Sequence, residues 1–233
     1  MATSAPSTGD HSHAHELRAD DYPGLLHEQR HRISALAHSL TPDQWTAPSL
    51  CEGWRVCDVL GHITYGYTTP LPKVLTLIVF RYRGDVNRGS DVVSRALADE
   101  LSQDELVKRL DAGLDRPVGL GKVLKPPEAL TDHLVHELDI RRPLGLPIEL
   151  EPAMLVGALN ALMTVKTKFF APAKVAEGLR FQALDMPWAH GAADAPLIEG
   201  RAEDLILAVA GRKVGLAPLS GPGVKDLAAR LAA

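Results

Sequence analysis

Residues 131–145, TDHLVHELDIRRPLG, constrain the fold of this 233-residue chain more than any other stretch. Pro126 and Pro127 are suited to opening a helix there, and Pro143 and Gly145 to stopping it. Between them Leu130, Leu134, Val135, Leu138 and Ile140 recur at helical spacing, and a helix with that much apolar surface needs neighbours to cover it. The same helix carries Asp132 and His136, which at i and i+4 lie on one face and can point at one metal ion. His133, three residues before His136, is the competing donor. His62, in the helical segment DVLGHI, is the candidate third ligand. A site of His62, Asp132 and His136, with a position left open, is the arrangement of a catalytic rather than a structural metal. The spacing by itself fits a hydrogen-bonded polar network as well.

The remainder of the chain reads as helical up to about residue 170. A pattern over 22–40 places Leu25, Leu26, Ile33, Leu36, Ala37 and Leu40 on one stripe. Thr41-Pro42 reads as a helix cap followed by proline. A helix over about 55–66 carries His62, and an apolar helix is expected over 73–82. RYRGDVNRGS, residues 81–90, reads as a loop, followed by a helix over 91–100. Ser102 with Glu105 forms a capping box for the next helix. Residues 115–127 read as loop, and one more helix is expected over 152–170. From there the pattern changes to short alternating stretches at 179–185, 188–191 and 196–200, then helices at 201–212 and near the C-terminus. The expectation is a disordered tail over 1–15, a helical bundle over 16–170 and a small α+β domain over 171–233. His11, His13 and His15 belong to the tail and read as solvated.

Composition excludes several classes. No Lys/Arg-rich patch stands out at a net charge of -4, and aromatics are 5% of residues, so nucleic acid is not an expected partner. The only cysteines, Cys51 and Cys57, make neither a disulfide framework nor a CxxC motif, which favours a reducing, cytoplasmic setting. The polar N-terminus does not read as a signal peptide, and the apolar run 74–80 is too short to span a membrane.

Two imidazoles and a carboxylate suit Zn2+, and also Ni2+, Fe2+ or Mn2+. Such an ion lowers the pKa of a bound water or thiol, and histidine ligands need a further acceptor to fix the ring. Asp58, Glu137 and Asp139 are candidates for that. Arg142 is a candidate contact for a substrate carboxylate; in the alternative, it or Arg141 pairs with Asp139.

The block SLTPDQWTAPSLCEGWRVCDVLGHI, together with DHLVHELDIRRPLG, GLRFQALDMPWAHG, GRAEDLILAVAGR and GVKDLAARL, resembles the mycothiol-dependent maleylpyruvate isomerases of the DinB-like superfamily. The resemblance implies a mainly α fold, an up-down-down-up four-helix bundle followed by a small α+β C-terminal domain. It implies a divalent metal on His62, Asp132 and His136, with the shorter aspartate where the family most often has glutamate and His133 as the alternative. It also implies mycothiol as co-substrate, and an isomerase or S-transferase acting on small electrophiles, carboxylate-bearing ones such as maleylpyruvate among them. A non-catalytic ligand-binding module and a metal-dependent hydrolase are the competing readings. A monomer or homodimer is expected.

Overall fold

A computed structural model of the protein describes residues 17–165 and 172–232. The tail over 1–15, with His11, His13 and His15, and the expected boundary at 170/171 lie outside the described residues.

The helices are α1 (Tyr22–Ser39), α2 (Pro42–Thr46), α3 (Val56–Thr68), α4 (Leu71–Thr76), α5 (Val86–Glu100), α6 (Gln103–Asp115), α7 (Leu120–Val123), α8 (Pro126–Leu144), α9 (Pro152–Thr164) and α10 (Pro172–Ala176). They are followed by β1 (Arg180–Ala183), β2 (Ala189–His190), β3 (Leu197–Gly200), α11 (Ala202–Val209) and α12 (Val224–Ala232). The fold is mainly helical with one small sheet. No helix among the described residues is long and apolar enough to cross a membrane.

Local chemistry explains most of the boundaries. Thr41 and Gln44 form a capping box at α2, as Ser102 and Glu105 do at α6. The featured helix α8 begins at Pro126 and ends at Gly145, whose φ of 63° is the left-handed turn that glycine adopts at little cost. Leu146 N–H closes the cap by donating to the Arg141 carbonyl at 3.0 Å.

Three expected boundaries differ. The stretch 81–90 is not all loop: Asp85 accepts from the Arg88 N–H and starts α5 at Val86, so the helix begins five residues before the expected position. The helix expected over 152–170 ends at Thr164, because Val165 turns to extended backbone. The helix expected over 73–82 is α4 continued by one π-helical turn, Leu77–Arg81, and that segment leaves Leu75, Val79 and Phe80 largely exposed.

Around α8 the bundle closes as a ring of neighbours, α1 on α8, α8 on α3, α3 on α6 and α6 on α1. Ile33, Leu36, Val59, Leu60, Ile63, Leu106, Leu110 and Ile140 form its core. The other side of α8 packs on α9 and α11, where Leu134, Leu138, Met154, Leu162 and Leu205 join a second core with Phe181 of the sheet. At roughly 1.5–3 kcal/mol for each fully buried aliphatic or aromatic side chain, these cores hold α8 between two layers. The sheet order is β2-β1-β3, with β1 antiparallel to β2 and parallel to β3. β1 alternates half-buried and buried side chains, as its sequence does.

Candidate metal centre

His62 comes from α3 and Asp132 and His136 from α8, and one donor atom from each lies within 4.8 Å of the others. His136 Nε2 is 3.6 Å from Asp132 Oδ1, so the shorter acid does reach across the helical turn. The His62 and His136 rings meet edge to face with centroids 5.1 Å apart.

The second nitrogen of each imidazole is already engaged. His62 Nδ1 is 2.9 Å from Ser90 Oγ and 3.5 Å from Ser94 Oγ on α5. That approach depends on Gly61, where a Cβ would lie 2.6 Å from the Ser94 carbonyl oxygen. His136 Nδ1 is 3.0 Å from Asp139 Oδ2, one turn along α8. Both rings are thereby turned so that Nε2 faces the cluster.

Asp139 is held in turn by Arg212, which follows α11. Arg212 Nε donates to Oδ1 at 2.9 Å and Nη2 to Oδ2 at 2.6 Å. The Cys51 thiol donates to the same carboxylate at 3.1 Å. Cys51, His136 and Asp139 thus form a second group of potential ligands. There the guanidinium of Arg212, also 3.4 Å from Cys51 Sγ, supplies the cation. Among the described residues, no arginine or lysine is set between the donors of the first group in this way.

The electrostatics follow. Burial pushes the His62 imidazole down to about 4, with His136 pushing the same way. Burial also opposes a charge on His136, but Asp132, Asp139 and Cys51 outweigh it and raise His136 to about 10. Burial likewise opposes ionisation of Asp132, yet His136, His62 and His133 hold its carboxyl below the usual range. Asp139 is held well below that range by His136 and Arg212 despite its burial. At neutral pH the cluster offers a carboxylate, a neutral imidazole and an imidazolium whose proton a divalent cation would replace. Two imidazoles with fixed outer nitrogens and one anionic oxygen fit such an ion.

Other expected site residues are placed elsewhere. His133 is fully buried with its ring 5.0 Å from that of Tyr67, and it belongs to neither donor group. One residue from Asp132 is about 100° around a helix, so the two side chains diverge. Arg142 does not offer a free guanidinium: it donates to Glu203 Oε1 at 3.1 Å and Asp204 Oδ1 at 2.6 Å, tying α8 to α11. Asp139 pairs with neither Arg141 nor Arg142. Asp58 accepts from the Arg55 backbone and side chain, and Glu137 is committed to Gln29, Arg32 and Arg141. Ser90 and Arg212 were not legible as site residues.

Beside the cluster lies a cavity of about 280 Å3, with His62, Asp132 and Ser90 at one end. The rest of its wall is almost entirely aliphatic and aromatic.

Residues 26–141 match a family model described as the mycothiol maleylpyruvate isomerase N-terminal domain. Among solved structures, the chain is similar to the crystal structure of a mycothiol-dependent maleylpyruvate isomerase. That structure is 16% identical, with a TM-score of 0.49 over 89% of this chain and 94% of that chain. A point mutant of the same description is 16% identical, with a TM-score of 0.47 over 85% and 91% of the respective chains. No curated protein sequence matches the chain.

Proposed function

Residues 26–141 make this chain a member of the mycothiol maleylpyruvate isomerase N-terminal domain family, and on that premise we propose that it is a metal- and mycothiol-dependent enzyme, an isomerase or S-transferase acting on a small electrophile. The observation that carries the reading is the meeting of the His62, Asp132 and His136 donor atoms at the end of an apolar cavity.

His62, Asp132 and His136 would hold the ion, with zinc the best match to two imidazoles and a carboxylate. A divalent ion there would supply positive charge that lowers the pKa of a thiol sharing its surroundings, so that thiolate exists at neutral pH. The protein's own groups do the positioning. Ser90 fixes the His62 ring and Asp139 the His136 ring. Arg212 keeps Asp139 ionised and immobile. The apolar wall excludes water from the electrophile and favours attack by sulfur over hydrolysis. The S–C bond forms as the electron pair of the substrate's double bond moves to its activating carbonyl. In an isomerase the resulting single bond rotates and the thiol leaves again. In a transferase the neighbouring carbon takes up the thiol's proton and the thioether is released.

Elemental analysis of the purified protein, with mycothiol conjugation assayed before and after chelation, tests the proposal. The expected result is about one divalent ion per chain and a thiol-dependent rate lost with it. A protein that takes up no divalent ion, with no rate above background, refutes it.

A further inference from the structure

The cavity beside the donor cluster constrains the substrate's charge. Its polar end consists of His62, Asp132 and Ser90. Val74 and Leu77 come from α4 and the π-helical turn, Val93 from α5 and Leu124 from the approach to α8. Ile63, Tyr65, Tyr67, Tyr82, Val86 and Leu120 add to the wall, and among the described residues no lysine or arginine lines the space. Two cationic groups in the neighbourhood are committed to carboxylates. Arg212 is locked onto Asp139, and Arg142 onto Glu203 and Asp204. Arg30, whose Nε has no hydrogen-bond partner among the described residues, stacks over the Tyr67 ring at 5.2 Å from its centroid and does not itself line the space. Lys73, Arg81 and Arg109 line a different groove, which shares Leu77 and Tyr82 as walls with this cavity.

We propose that this cavity selects an uncharged, largely hydrocarbon electrophile, and that a dicarboxylate is not the substrate of this chain. The inference rests on the proposed thiol-transfer function and names the substrate class of that same site. One carboxylate of a dianion would find the charge of a cation held by His62, Asp132 and His136, already half offset by Asp132. The second would be buried against valine, leucine and tyrosine side chains, where the Tyr67 hydroxyl could donate but no lysine or arginine lines the wall, and a buried charge without a counter-charge is strongly disfavoured. A neutral enone or ester loses nothing of this kind and gains from burial of its hydrocarbon body. The volume, just below the usual range for small-molecule sites of roughly 300–1,000 Å3, suits a body of about one ring.

The test uses the full-length, zinc-loaded protein with mycothiol and two electrophiles, 4-phenylbut-3-en-2-one and its ring 4-carboxylate. In each the thiol adds across the alkene. An S–C bond forms at the carbon bearing the ring, the displaced electron pair passes to the ketone, and the thiol proton ends on the carbon beside it. No other reactant is needed. With kcat/KM divided by the uncatalysed rate, the neutral ketone is expected to be favoured by at least 100-fold. Val93→Arg should shift that ratio towards the carboxylate by at least tenfold. Turnover of the carboxylate as good as that of the ketone overturns the proposal. If neither is turned over, the thiol-transfer reading fails by itself, and equilibrium binding of the same two molecules decides the charge selectivity. Tighter binding of the ketone upholds it; equal or tighter binding of the carboxylate overturns it.

Discussion

Replacing Arg212 with methionine isolates the contribution of the Arg212–Asp139 pair. The two make a bidentate contact with distances of 2.9 and 2.6 Å, the carboxylate being fully buried and the guanidinium 19% exposed. Arg212→Met leaves Asp139 as a buried carboxylate with the Cys51 thiol and the His136 ring as its side-chain partners. Breaking one side of such a pair costs about 3–5 kcal/mol. Replacing both members by apolar residues of similar volume removes the stranded charge, so Arg212→Met with Asp139→Leu should recover part of that loss, the remainder being the buried His136 and Cys51 donors that lose their acceptor. Metal affinity should behave differently. Asp139 orients the His136 ring, and losing such a partner costs roughly 10–100-fold in affinity. The double variant should therefore regain part of the stability without regaining affinity. Urea unfolding of the metal-free protein gives the first quantity and competition with a chromophoric chelator the second. If Arg212→Met costs less than about 1 kcal/mol, or if the double variant is as destabilised as the sum of the singles, the argument from a desolvated pair is wrong.

Three further outcomes are expected. Zinc must displace the proton that Asp132 and Asp139 keep on His136 up to about 10, so apparent affinity should rise about tenfold per pH unit between pH 7 and 9 and level off above 10, whereas His62, already neutral above about 4, adds no slope there; a flat titration over pH 7–9 contradicts this. His133 has no hydrogen-bond partner for either ring nitrogen among the described residues, and burial lowers it from 6.5 to about 4 despite the opposing pull of Asp132. The unfolded chain therefore binds the proton first, and stability is lost as pH falls from 6.5 towards 4; His133→Phe should remove that part of the acid slope, about 3 kcal/mol at full expression, as read from the difference between the two proteins' urea midpoints at pH 7 and pH 4.5. Ser90→Ala should lower zinc affinity about tenfold with little change in stability, since it frees the His62 ring without touching the donors, and unchanged affinity by chelator competition would show that Ser90 does not orient it.

The helical pattern and the Asp132/His136 pair were legible because each depends on local spacing along one helix, and α8 is bounded by the prolines and glycine that predict it. Asp139 was one of several candidates for fixing a histidine; only packing distinguishes it from Glu137, which faces α1. Arg212 is 73 residues from Asp139, and no local signal specifies which distant cation a buried carboxylate meets. Ser90 was hidden because the glycines of RYRGDVNRGS read as loop, while Asp85 in fact caps a helix there. Arg142 is committed to Glu203 and Asp204 for a geometric reason. It lies six residues beyond His136, about 240° around the helix, and so points at α11 rather than the site.

The segment formed by α4 and its π-helical turn carries apolar side chains on both faces, interspersed on the outer one with Lys73, Thr76 and Arg81. Val74 and Leu77 face the cavity, while Leu75, Val79 and Phe80 face outward. Most amphipathic helices are oriented by the contrast between their faces, and this one has little contrast to orient it. Rolling it slightly exchanges one hydrocarbon surface for another at small cost, and a wide π turn already departs from regular helix geometry. The cavity wall on that side is therefore the least committed boundary of the site. Such a site should be permissive towards the length and branching of what it accepts, and selective chiefly about charge.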